Sequence, residues 1–177
     1  MDQLHYIVAK HLQNLLGDEY IVQTKLTTGR EEKLKGRYLN KRVDVAIVRA
    51  SYSKLLVALG LKSILSSYGK NKNNYFENML GETANLRSNQ IPYFQIVILP
   101  YKSPNFTKKN ENDCVSNYTI LNEKNFTLYQ KLAEDNNLSY AHTPTKTLLL
   151  VVEYCPDYQE VSKKADYCKI LFKMSCR

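Results

Sequence analysis

Two apolar runs in close succession constrain this chain more than any other feature. They are Arg42-Val-Asp-Val-Ala-Ile-Val48 and Lys54-Leu-Leu-Val-Ala-Leu-Gly-Leu-Lys62, with Arg49-Ala-Ser-Tyr-Ser53 between them. Each has strand length and is apolar almost throughout, which predicts two buried neighbouring strands joined by a turn. Alternation puts Val43, Val45 and Ile47 on one face of the first strand, and Asp44, Ala46 and Val48 on the other. In the second strand Leu56, Ala58, Gly60 and Lys62 share a face. Asp44 and Lys62 are therefore charges set into buried strands, a costly arrangement unless each is paired or engaged by a metal. A structural ion pair between the two meets these facts as well as a metal site does.

The flanking segments extend the pattern. Asp2 to Leu16 has Leu4, Ile7, Val8, His11, Leu12, Leu15 and Leu16 at helical spacing, with Gly17 as a stop. His5 and His11 on this helix read as surface or boundary histidines and receive no role. Tyr20 to Leu26 reads as a strand, and Thr27 to Asn40 as a charged hairpin or arm containing Gly29 and Gly36. A helix is expected from about Asn73 to Arg87, with Phe76, Met79, Leu80, Thr83 and Leu86 as its apolar stripe. Tyr93 to Leu99 follows as a strand between Pro92 and Pro100. Beyond it come a polar loop from Lys102 to Asp113 and mixed structure through Leu121. A helix near Thr127 to Asp135, a strand at Thr147 to Tyr154 and a last helix over Val161 to Phe172 complete the chain. No repeat or linker divides the 177 residues, so a single domain is expected, with residues 1–100 as core and 101–177 as an elaboration packed on it.

No uninterrupted aliphatic run is longer than that from Leu148 to Val152, far short of the ~20 residues of a membrane helix. The N-terminus also lacks a signal-peptide pattern, so a soluble cytoplasmic protein without membrane association is expected. Cys114, Cys155, Cys168 and Cys176 form no CxxC pair and read as reduced thiols. Cys155, Cys168 and His142 match no established zinc spacing, so no zinc is expected. The net charge of +8 is concentrated: Lys25 to Lys72 holds twelve Lys or Arg against Glu31, Glu32 and Asp44. Such a segment is the footprint of a phosphate-backbone binder, although a solvated charged loop gives the same count.

The order helix, strand, strand, strand, helix, strand, with Asp44 on one central strand and Lys62 on the next, resembles the core of the PD-(D/E)XK nucleases over roughly residues 1–100. The block Gly60-Leu-Lys-Ser-Ile-Leu-Ser-Ser-Tyr-Gly-Lys-Asn71, followed by Asn74-Tyr-Phe-Glu77, is similar to a segment of type II restriction endonucleases. The resemblance implies an α/β fold with a restriction-endonuclease-like core, a central mixed β-sheet flanked by helices. It also implies Mg²⁺-dependent cleavage of double-stranded DNA by a homodimer.

One position departs from the pattern. Two residues before Lys62, where the family carries Glu or Asp, stands Gly60. Some restriction enzymes that the chain resembles take this acid from the following helix, whose acids here are Glu77 and Glu82. The Lys-to-Glu spacing resembles theirs best for Glu77, with Glu82 as the alternative. By resemblance, Asp44, the relocated acid and the backbone carbonyl of Leu61 hold Mg²⁺, and Lys62 stabilises developing charge. Ser66, Ser67, Lys70, Asn71, Asn73 and Asn74 lie where a loop is expected to meet a helix N-terminus, suited to phosphate or base contacts and equally to capping. A structure-specific nuclease with the same core, and a non-catalytic DNA-binding module that lost its acid at Gly60, are the competing expectations.

Overall fold

The computed structural model describes residues 1–109, 112–154 and 168–171. The two constraining runs become neighbouring strands, and the chain order around them is as follows. Helix α1 (Asp2–Leu16) leads to β1 (Tyr20–Gln23), the single turn α2 (Lys25–Thr28), β2 (Glu32–Lys35), β3 (Asn40–Val43), β4 (Val45–Arg49) and β5 (Lys54–Ser63). Then come α3 (Tyr68–Arg87), β6 (Tyr93–Pro100), β7 (Lys102–Lys109), β8 (Asn112–Ile120), α4 (Glu123–Glu134), β9 (Lys146–Tyr154) and β10 (Cys168–Leu171). The main sheet has the order β1-β4-β5-β6-β9-β10, and β2-β3 and β7-β8 form separate two-stranded sheets. It is mixed, because β5, β6 and β9 run parallel while β1, β4 and β10 pair antiparallel with their neighbours. The α/β class and the central mixed sheet between helices are therefore as expected.

Helix α1 covers one face, where Ala9 packs with Val22, Val45, Ile47, Leu59 and Leu61. The other face carries α3, with Leu86 against Ala46, Ala58 and Tyr93, and a further cluster joins Met79, Val97, Leu99 and Tyr129 of α4. Gln95 ties β6 to α3 from inside the core, donating to Thr83 Oγ1 at 2.7 Å and to the Met79 carbonyl at 3.2 Å. A buried amide anchored this way fixes the height of α3 over the sheet, since an unpaired one would be costly.

Several expected elements differ. Of the expected stripe of α1, Leu4, Val8, Leu12 and Leu16 pack against the core beside the buried His5 and Ala9, while Ile7 and Leu15 point to solvent. Gln13 ties α1 to β1 in this roll: its Oε1 accepts the Val22 amide at 2.9 Å, and its Nε2 donates to the Gly17 and Tyr20 carbonyls. The strand expected through Leu26 stops at Gln23, because Thr27 Oγ1 accepts the Thr24 amide at 2.8 Å and starts a helical turn. Helix α3 begins at Tyr68 rather than near Asn73. The expected polar loop from Lys102 is the β7-β8 hairpin, whose inner ladder is polar: Asn105 donates to Asn117 Oδ1 and Thr119 Oγ1. Its strands lack apolar alternation for that reason. The last expected helix falls partly on residues 161–167 and 172, outside the described residues, but 168–171 are strand β10 against β9. Among the described residues no helix is long and apolar enough to cross a membrane.

Candidate active site

Asp44 lies in the single residue between β3 and β4, where the chain passes from the β2-β3 hairpin into the main sheet. The pleat is interrupted there. Val43 packs with Leu34, Ala46 and Tyr93, whereas Val45 packs with Ala9 and Leu59, so these valines face opposite sides and do not share the face expected of one continuous strand. The interruption has a partner in the carboxylate itself: Asp44 Oδ2 accepts the Leu61 amide of β5 at 2.7 Å. That charge-assisted bond replaces the ladder contact the backbone gives up, and it pins Asp44 beside the end of β5.

Lys62 and Asp44 form no ion pair. Lys62 Nζ instead meets Glu82 Oε2 at 3.2 Å, and Lys41 Nζ from β3 meets the same oxygen at 2.9 Å. The other carboxylate oxygen, Glu82 Oε1, accepts the Tyr93 hydroxyl at 2.6 Å. All this takes place over Gly60. A Cβ there would collide with the Tyr93 hydroxyl and come within 3.6 Å of Glu82 Oε1. Glu82 of α3 thus stands over Gly60, the position at which the resemblance expects an acid.

Sequence reasoning favoured Glu77 for this place. Glu77 lies on an exposed part of α3 and forms no hydrogen bond or ion pair among the described residues, while Glu82, five residues on, faces the sheet with its side chain 10% exposed. The roll of α3 sets the two acids apart, because Met79, Thr83 and Leu86 form its buried ridge and Glu82 adjoins Thr83. Burial alone would push the Glu82 carboxyl up, but Lys62, the Tyr93 hydroxyl and Lys41 together outweigh it and hold the carboxyl below its ordinary value. The Tyr93 phenol moves the other way. Burial first, then the nearby carboxylates of Glu82 and Asp44, push it well above its ordinary value, so it remains a donor.

A third group reaches Asp44 from the opposite side. His5 of α1 is buried, and its Nδ1 lies 3.8 Å from Asp44 Oδ1. Glu31, in the segment before β2, completes a cluster in which one donor atom from each of His5, Glu31 and Asp44 lies within 4.8 Å of the others. Sequence reasoning gave no role to His5, Glu31, Lys41 or Tyr93. For Tyr93 a signal existed, since a glycine in a buried strand often marks close approach by another group. The remaining contacts join segments far apart in the chain and leave no local pattern.

The expected DNA-contact residues lie at the start of α3. Ser67 is its N-cap in a left-handed conformation with φ 53°, and its amide donates to the Pro104 carbonyl at 2.7 Å. Lys70 Nζ donates to the Phe106 carbonyl at 3.3 Å and Asn71 Nδ2 to the Ser67 carbonyl at 3.4 Å. Ser66 is half-buried, while Asn73 and Asn74 are exposed. This region is joined to the β7-β8 hairpin rather than forming a free loop. Of the basic segment, Lys70 and Lys72 lie on α3, while Lys33, Lys35 and Arg37 are exposed on the β2-β3 hairpin, with the Arg37 guanidinium 5.7 Å from the Tyr38 ring centre. Asn85 of α3 clamps its tip, accepting the Tyr38 and Leu39 amides and donating to the Leu39 carbonyl. Of the zinc candidates set aside above, Cys155 lies outside the described residues and His142 is 3.8 Å from Asp135.

Comparison of the chain with protein-family models, with curated proteins and with solved structures finds no significant match.

Proposed function

We propose that the chain is a Mg²⁺-dependent endonuclease acting on double-stranded DNA, of the PD-(D/E)XK type and, within it, a type II restriction enzyme. The observation that carries the reading is Glu82 standing over Gly60 and paired with Lys62, one strand away from Asp44. This is the constellation the resemblance implies, with the acid relocated to the helix. Asp44 supplies a hard oxygen donor, since its Oδ1 accepts no hydrogen bond among the described residues, and Glu82, whose oxygens are engaged by Tyr93, Lys41 and Lys62, would exchange a lysine for the ion. Asp44 and Glu82 would hold Mg²⁺, with the Leu61 carbonyl as the resemblance implies. The ion would supply polarisation of the phosphodiester and acidification of the attacking water.

The chain's own residues do the remaining work. Lys62 stabilises negative charge developing on the phosphate, in a position set by Glu82, and Tyr93 sets Glu82. The exposed cations of the β2-β3 hairpin hold the DNA backbone. Cutting both strands of a symmetric target requires two such sites related by a two-fold axis, hence a homodimer, which light scattering free and on DNA would detect.

The test is incubation with plasmid and phage DNA in Mg²⁺. Discrete fragments are expected. Cutting restricted to junctions would indicate a structure-specific nuclease, and retention without cutting a non-catalytic module. Asp44→Ala and Lys62→Ala are expected to abolish cleavage while leaving the fold and much of the DNA binding intact; normal cleavage by either overturns the site.

A further inference from the structure

We infer that Asp44 faces a second cation site on its α1 side, built with His5 and Glu31 and suited to a divalent first-row transition ion such as Mn²⁺ in preference to Mg²⁺. The site deepens the nuclease reading and shares Asp44 Oδ1 with it as a bridging oxygen, while its other donors come from α1 and from the entry to the β2-β3 hairpin.

Three observations support it. His5 is 5% exposed, yet neither ring nitrogen has a hydrogen-bond partner among the described residues. A buried polar group left so costs about 1–3 kcal/mol, and on the sheet-facing side of a helix an alanine or leucine would avoid that cost. The separations also fit an ion. Two donors each about 2.1 Å from one metal can be at most about 4.2 Å apart, and His5 Nδ1 and Asp44 Oδ1 are 3.8 Å apart. Glu31 brings the third donor within 4.8 Å of both, so a small closure of its side chain completes the set. Lastly, the nearby cation of Lys25 is engaged elsewhere, its Nζ held by Asp2 at 2.7 Å. This is the only such three-residue cluster among the described residues.

The donor types decide the ion. Imidazole nitrogen binds first-row transition ions, whereas Mg²⁺ prefers oxygen and water. One imidazole with two carboxylates leaves open positions and so is not a closed structural site of the four-ligand kind.

The experiment is binding of Mn²⁺ to the full chain without DNA, followed by the electron paramagnetic resonance signal of the free ion, with Mg²⁺ as competitor. Mn²⁺ is expected to bind, and Mg²⁺ to displace it only at roughly tenfold or greater excess, a difference of about 1.4 kcal/mol. His5→Gln should abolish that preference, Glu31→Gln should weaken Mn²⁺ roughly tenfold or more, and Glu82→Gln should leave this binding in place. Binding of Mn²⁺ by His5→Gln as tight and as selective as that of the parent overturns the inference. So does its loss in Glu82→Gln alone, which would put the ion on the α3 side. Should His5→Gln unfold, as circular dichroism would show, half-buried Glu31→Gln decides alone. Mn²⁺ binding that follows these variants without any DNA cleavage would sink the nuclease reading and leave the site standing. Cleavage with unaltered Mn²⁺ binding in the variants would do the reverse.

Discussion

Tyr93 donates its hydroxyl to Glu82 at 2.6 Å in the space left by the missing side chain of Gly60. Strand, neighbouring strand and helix meet in that one contact. It makes the glycine a requirement of the site: only a residue without Cβ lets a phenol from β6 lie across β5 and reach an acid on α3.

Gly60→Ala is therefore expected to destabilise the protein by about 1–3 kcal/mol, the usual cost of forcing added volume into a packed interior. Tyr93→Phe in the same chain should recover part of the loss. Recovery is incomplete because the ring carbon bearing the hydroxyl would itself lie 2.9 Å from the added methyl carbon. Chemical denaturation of the two single variants and the double variant measures the coupling; strict additivity would place Tyr93 outside the contact.

Stability should depend on pH through Glu82. Its folded-state carboxyl is held below the ordinary value, after the opposing effect of burial, by Lys62, Tyr93 and Lys41. A depressed carboxylate stabilises fully above its unfolded value, about 4.3, and that contribution disappears as pH falls through the folded value. Urea midpoints should thus be level above this range and fall on acidification. Glu82→Gln should flatten that part of the profile, whereas an unchanged acid slope would show that other carboxylates dominate.

Cleavage separates the two helix acids. Glu82→Gln is expected to lose Mg²⁺-dependent cutting by several orders of magnitude, as a site acid would, and Glu77→Gln to cut normally at equal DNA affinity. The contrary result, with Glu77→Gln inactive, would mean that α3 turns on binding DNA. Normal cutting by both would remove the relocated acid from the mechanism.

The strands and helices of the first hundred residues were legible because their apolar periods differ, two for strands and near 3.6 for helices. Asp44 and Lys62 stood out as charges within such runs. The roll of a helix about its own axis was less legible: Ile7 and Leu15 look as apolar as Val8 and Leu12, and the roll that turns the latter pair inward goes with the bond of Gln13 to β1 and the burial of Ala9. On α3 the helical wheel does not choose between the two acids, and it is the resemblance in spacing from Lys62 that puts Glu77 ahead of Glu82. The break at Asp44 was hidden for a different reason, since Val43, Val45 and Ile47 alternate without a gap and the interruption is made by a bond to Leu61 from the next strand. His5 and Glu31 join Asp44 through chain closure alone, which no local spacing encodes.

The remaining expectation concerns how DNA is held. Lys33 and Lys35 of β2, with Arg37 just beyond it, project from a hairpin that α3 fixes in place: Asn85 bonds both sides of its tip, and Asn89 Nδ2 donates to the Lys35 carbonyl at 2.6 Å. Tyr38 at that tip is 82% exposed and lies beside the Arg37 guanidinium, a flat basic and aromatic surface turned to solvent. A rigid basic hairpin loses little entropy on binding, so its cations should contact phosphates and release counterions. The logarithm of affinity should then fall linearly with the logarithm of salt concentration, and each lost phosphate contact should reduce the slope by about 0.9. Lys35→Gln with Arg37→Gln is expected to lower affinity for all sequences alike and to reduce the slope by about 2. Lys70→Gln should change the slope less, because Lys70 is already held by the Phe106 carbonyl. Fluorescence anisotropy with labelled duplexes over a range of salt measures both quantities. A slope unchanged by the hairpin variants but reduced by Lys70→Gln would move the DNA track from the hairpin to the start of α3.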